Sequence, residues 1–183
     1  MAMPGVHETA AASADDHDIP IPYMQRTRDY YLALGYGNAY RWAHFAEVPF
    51  APLSVPLRQV RVALITTAAP YQPAAGDQGP HAPYNAGAKF YQVYSGPTEG
   101  SPDLRISHVG YDRANTVPVD IQAYFPLARL REAAAGRRIG ALLPRFHGAP
   151  TNRSQRVTLD VDAPELLRRC REDGADAAVL VPT

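Results

Sequence analysis

Short aliphatic runs alternate with amphipathic stretches in the C-terminal two-thirds of the chain, and that pattern defines the expected architecture. Residues 60–65, VRVALI, are β-branched or aliphatic and close at Thr66 and Thr67, as expected of a buried strand feeding a loop. A second strand is predicted over 104–109, ended by Gly110, Tyr111 and Asp112. A third is predicted over 139–143 and a last over 177–181, the latter as a buried central strand. Between them, Pro126 opens the run LARLREAAAG, which Gly136 closes as a helix of about three turns. The stretch PRFHGAPTNRSQ reads as a loop, and a second helix is predicted to begin near Asp162, where Asp162-Ala-Pro-Glu165 combines an N-cap, a first-turn proline and a capping-box glutamate. Gly174 ends it. Strand, helix, strand, helix, strand predicts an α/β fold: a parallel sheet with helices packed on it in Rossmann-like layers.

Upstream the pattern weakens. Residues 1–20 show no periodicity and read as a flexible tail. Residues 21–56 read as an N-terminal extension. Met24, Tyr31 and Leu34 share one helical face before Gly35 and Gly37 interrupt it, and Pro49, Pro52 and Pro56 form a stiff connector. The aromatic group Tyr40, Trp42, His44 and Phe45 is expected to pack this extension. The organised domain is expected over 57–183, with a long proline- and glycine-rich loop over 68–103 that contains His81 and Lys89.

Composition excludes several classes. Lys plus Arg equals Asp plus Glu, 18 each, so no global field draws the chain to nucleic acid or anionic lipid. No apolar run reaches the roughly 20 residues that cross a bilayer. The N-terminus lacks a basic stretch followed by an apolar one, which leads to a cytoplasmic expectation. The single cysteine, Cys170, rules out an internal disulfide and any multi-cysteine zinc site. Its place in ELLRRCRED suits a packed or surface thiol. No G-x-G-x-x-G, Walker A or G-x-S-x-G pattern occurs.

Candidate chemistry gathers over 106–148. In open parallel sheets, ligands bind outside the carboxyl ends of the strands, and those ends are marked here by Thr67, by His108 to Asp112 and by Arg145 to Gly148. Imidazoles titrate near neutral pH, so His108 and His147, with Asp112, are the candidate proton-transfer residues. Ser107, Tyr111, Asp120, Gly148 and Thr67 are candidate substrate-binding residues. Each has a plainer reading. His108 can satisfy a backbone group, Asp112 and Asp120 can cap turns, and Arg129 sits on a solvated helix face. A zinc site from His108, His147 and an aspartate matches no metal spacing. Ser107 precedes His108 directly and so points to the opposite strand face, which weakens a Ser-His-Asp hydrolase built on that pair.

Taken together, Ile106-Ser107-His108-Val109-Gly110-Tyr111-Asp112, Asp120-Ile121, Phe125-Pro126-Leu127, Arg129-Leu130-Arg131-Glu132 and Ile139-Gly140 resemble the selenoprotein B family of the glycine, sarcosine, betaine and D-proline reductases, over about residues 60–183. The resemblance implies reductive cleavage of a C–N bond in an amino acid or derivative by a nucleophilic selenol or thiol. In that family a selenocysteine or cysteine follows the strand that reads ADAAVLVP here. The expectation is therefore a selenocysteine just after Thr183, at an in-frame UGA codon, with no turnover from the 183 residues alone. The resemblance also implies a pyruvoyl-bearing partner subunit, a thiol electron donor and an oligomer. No cofactor or metal is expected within the 183 residues. The alternative is a non-catalytic small-molecule-binding or assembly subunit.

Overall fold

Strand β1, Arg61–Thr66, is the element on which the domain is built, and its alternating side chains supply both faces of the core. The computed structural model describes residues 22–75, 90–108, 120–151 and 154–182. The expected tail, His81, Lys89, Tyr111, Asp112 and Thr183 lie outside the described residues. The chain divides into two compact units, one up to Val48 and one from Pro49.

In the first unit, helix α1 spans Tyr23–Ala33 and buries no residue completely. Gly35, at φ +84°, turns the chain out of it, a conformation glycine adopts without the Cβ penalty. The chain then returns along the helix, where Tyr31 stacks against Tyr36 and Tyr40 with ring centres 5.4 and 5.1 Å apart. Tyr40 meets Trp42 edge-on, and the Arg28 guanidinium lies over the Trp42 ring at 5.2 Å. Of the aromatic group, Tyr40 and Trp42 thus pack within this extension, whereas His44 and Phe45 are exposed.

The second unit is mixed α/β. Along one edge β1 pairs in parallel with β7, Ala177–Val181, in the register Val62↔Ala177 to Thr66↔Val181. Along its other edge it pairs in parallel first with β5, Ala141–Leu142, and then with β6, Arg145–Gly148, in the register Ile65↔His147 and Thr66↔Gly148. Leu143 and Pro144 separate β5 from β6, because proline offers no N–H to the ladder. Strand β3, Tyr94–Pro97, closes the far edge antiparallel to β6, with Ser95 opposite His147. The sheet is therefore mixed and not all-parallel as expected.

Ala63 and Ile65 face one way, packing with Leu143, Leu166 and Cys170. Leu64 faces the other, joining Ala68, Leu104, Ile106, Phe125, Leu127 and Phe146. Helix α2, Leu127–Ala135, covers the second face through Leu127 and Leu130. The first face is covered by a continuous helical segment made of α3, Gln155–Val157, a π-helical turn, Thr158–Asp162, and α4, Ala163–Glu172. Gly174, at φ +73°, ends it, as predicted.

Four expectations need correction. The strand predicted over 104–109 is only two residues of β4, Leu104–Arg105, paired antiparallel with β2, Ala69–Pro70, in a separate two-stranded sheet. Leu104, Arg105, Ile106 and Ser107 are all buried, so the segment shows no alternation of buried and exposed positions. The loop predicted after Leu143 contains β6. The second helical segment begins at Gln155 with Ser154 as its cap, accepting from the Val157 N–H. Asp162 is helical and makes no side-chain cap bond. Finally, β7 is an edge strand: Val179 and Leu180 are 38% and 59% exposed, where a buried central strand was expected.

Candidate functional site

Two groups of polar side chains lie in the second unit, one at the carboxyl end of the parallel strands and one between the sheet and α4. At the carboxyl end, β1, β6 and β7 finish side by side, since Thr66 is level with both Gly148 and Val181. The Thr66 hydroxyl donates to the Tyr124 carbonyl at 2.8 Å and accepts from the Ala68 N–H at 3.1 Å. Thr67 donates its N–H to Val181 O at 3.3 Å, and Ala149 to Thr66 O at 2.8 Å. Ser107, 1% exposed, shares a hydrogen bond with Thr151, hydroxyl to hydroxyl, at 3.0 Å. Next to it stands His108, whose imidazole burial pushes below its ordinary pKa and so toward the neutral, proton-accepting form.

Of the predicted substrate-binding residues, Ser107, Thr67 and Gly148 are thus set at one end of the sheet. Gly148 has a packing reason for lacking a side chain, because an added Cβ would stand 1.7 Å from the Tyr94 ring. Asp120 is used locally: its carboxylate accepts from the Gln122 N–H at 2.9 Å and caps the 3-10 turn Ile121–Ala123. Arg129 pairs with Glu132 on the exposed face of α2.

His147 belongs to the second group. On β6 Phe146 packs in the face of the core that α2 covers, so Arg145 and His147, on the opposite side of the strand, face α4. His147 is completely buried, with Nδ1 2.8 Å from Ser95 Oγ on β3. Its Nε2 is 3.3 Å from Asp173 Oδ2, within ion-pairing distance but off the line of a hydrogen bond. Asp173, the residue after α4, is clamped by Arg145 through Nε at 3.1 Å to both carboxylate oxygens and through Nη2 at 2.5 Å to Oδ1. These bonds hold the Asp173 carboxyl below the usual carboxylate range. From the other side Arg169 donates from Nη1 to Ser95 Oγ at 2.8 Å and from Nε to Glu165 at 2.7 Å. Glu165 is drawn down to about 2 by its bonds to Arg168 and Arg169.

Burial lowers the His147 pKa, and this outweighs the opposite pull of Asp173. Ser95, Arg169 and Asp173 escaped the sequence reading, which used Arg145 only to mark a strand end. Ser95 sits in a segment dominated by proline and glycine, and Asp173 reads as a helix end before Gly174. The only available signal was the alternation of Arg145, Phe146, His147 and Gly148.

A cavity of about 370 Å³ lies along β3 and the two-stranded sheet, and Tyr71, Tyr94, Ser95, Gly96, Leu104 and Phe146 are among its walls. Beneath it, fully buried Arg105 pairs with Asp103 and lies over the Tyr71 ring at 4.7 Å. Cys170 is buried in the α4 face of the core, and burial pushes its thiol pKa up, away from the thiolate that reactive cysteines use. Among the described residues, no three His, Cys, Asp or Glu side chains group as metal ligands, and no helix is long and apolar enough to cross a membrane. Compared with protein-family models, curated proteins and solved structures, the chain has no match.

Proposed function

We propose that the chain is a component of a selenol- or thiol-dependent reductase that cleaves a C–N bond in an amino acid or amino-acid derivative. The observation that carries this reading is the register at the carboxyl end of the sheet. Val181 of β7 and Gly148 of β6 flank Thr66, and β7 ends beside Thr67, whose N–H bonds Val181 O. In open α/β sheets that edge is where ligands bind. The motif set around Ser107-His108 and Phe125-Pro126 brings the same stretch to the family named above, and the reading extends to a Rossmann-like layering of the domain.

A selenol or thiol just after Thr183 fits this end. The groups this chain offers to it are the Ser107 and Thr151 hydroxyls and the His108 imidazole, which burial keeps below its ordinary pKa. When present, the selenol or thiol supplies a nucleophile ionised near neutral pH, with a dithiol as the source of electrons. The chain's own contribution is positioning and proton transfer. His108 is the proton-accepting group, and the Ser107 and Thr151 hydroxyls offer hydrogen bonds to a polar substrate. Tyr111 and Asp112, three and four residues after His108 in the sequence, are assigned to the same site by the motif alone. His147 is assigned a supporting role behind the sheet. The reading includes a cytoplasmic setting, an oligomer, a pyruvoyl-bearing partner and a thiol donor protein.

A second reading is favoured by one observation, the exposure of Val179 and Leu180 on β7, which suits a non-catalytic assembly subunit. An assay separates the two. A chain extended through the codons after 183, supplied with its co-purifying subunit, a dithiol and amino-acid substrates, is expected to release amine and oxidise dithiol in equal amounts. A folded, extended chain that leaves the dithiol unconsumed with every substrate overturns the reductase reading.

A further inference from the structure

Among the described residues β7 pairs with β1 along one edge and with nothing along the other. The polarity of that open edge follows from β1. Val60, Val62 and Thr66 turn their carbonyls to the β5 and β6 side, where they accept from Ala141, Leu143 and Ala149. The alternate positions therefore face β7, and the Thr67 N–H donates to Val181 O. With Val181 turned to β1, Ala178 and Leu180 present their N–H and C=O groups to the open edge. Both faces of the strand are bare as well. Val179 is level with Leu64 on the α2 face, and Leu180 is level with Ile65 on the α4 face; they are 38% and 59% exposed. The stretch AAVLV holds no charge or proline of the kind that keeps a free edge from pairing, whereas β3, at the sheet's other edge, carries Pro97.

Helix α4 extends this surface. Arg169 and Asp173 reach Ser95 and His147 on one flank, and Leu166 and Cys170 pack against the sheet. Leu167 and Arg171 therefore lie on the opposite flank, toward β7, and both are exposed. Leu166 and Cys170 cluster with Ala63 and Ile65, which are level with Ala178 and Leu180, so Leu167 stands beside the middle of β7. Asp160, seven residues before Leu167, is exposed and 3.8 Å from Arg156.

We propose that β7 is the interface between two copies of this chain, paired antiparallel about a twofold axis at Val179. Each Ala178 then faces its partner's Leu180, small against large, and the pair exchanges N–H to C=O bonds in both directions. The same axis brings the two Leu167 side chains toward each other. It also carries each Arg171 to within about one helical turn of its partner's Asp160, opposite charges at both ends of the contact. This match of the surface to itself commits the edge to a second copy. The pairing holds for a reductase component and for an assembly subunit alike.

Sedimentation of the full chain over a range of concentrations is expected to show a monomer–dimer equilibrium. Leu180→Lys, at an exposed position, should weaken the dimer at least about 10-fold by removing apolar contact from both copies. Arg171→Asp should weaken it by up to about 10-fold, and adding Asp160→Arg should restore it. Mild oxidation of Val179→Cys should link two copies at position 179, because a non-hydrogen-bonded antiparallel pair holds its side chains close, while Ala177→Cys should not link; Cys170 is buried. Circular dichroism checks the fold of each variant, and where one fails to fold, the others and the unaltered chain decide the matter. A monomer at all concentrations overturns the proposal, as does a dimer that neither responds to Leu180→Lys nor links through Val179→Cys, or open-ended filaments in place of a closed pair.

Discussion

His147 carries the most consequences of any single residue. A buried imidazole resists charging, and its folded pKa lies below the value of about 6.5 expected in the unfolded chain. Below that value the unfolded chain therefore binds more protons than the folded one. The stability linked to His147 is fully present above about pH 6.5 and is lost as pH falls from there through the folded pKa. Urea midpoints measured from about pH 8 down to about pH 5 should decline, and the decline should be shallower in His147→Gln; an equal slope in both would remove His147 as its source. Sequence reasoning found this histidine but placed it in a loop, because Pro144, Gly148 and Pro150 frame it. Tyr94 explains Gly148 better than a ligand does, since its ring fills the space where a Cβ would stand. Asp120 shows the opposite case. Its capping role was readable from residue type alone, because aspartate bonds readily to its own local backbone.

At the scale of elements, the chain's long periodic segments were readable and its interruptions were not. Strand β1, helix α2 and strand β7 stand within a residue or two of their predicted bounds, each supported by a clear period or a terminating glycine. The run after Leu143 was misread because Pro144 breaks one strand path into β5 and β6, two pieces too short to show a period. The helical segment from Gln155 was misread because Asp162-Ala-Pro-Glu165 imitates a start. Pro164 cannot donate to an α-helical ladder, and the π-helical turn Thr158–Asp162 directly before α4 accommodates it. The true start is Ser154, whose hydroxyl accepts from Val157 N at 3.2 Å. Ser154→Ala should therefore cost about 0.5–2 kcal/mol in chemical denaturation, whereas no loss would show that the Ser154 cap does not hold this start.

At the scale of the molecule, a mixed α/β unit presents the aligned carboxyl ends of β1, β6 and β7 on one side and an exposed apolar strand, β7, at its edge. The general class was legible because alternating strands and helices of these lengths admit few arrangements. The antiparallel β3 and the Ser95–His147–Asp173 contacts were not, because they join residues 52 and 26 positions apart, counting from 95 to 147 and from 147 to 173, with no local pattern to announce them. Equal numbers of acidic and basic residues leave recognition to local groups and not to a global field. The central proposal turns on a selenol or thiol in the segment that continues β7. The most direct measurement is the nucleotide sequence past codon 183: the account predicts an in-frame UGA or cysteine codon followed by continued coding sequence, and a UAA or UAG stop, or a continuing frame without either codon, would contradict it.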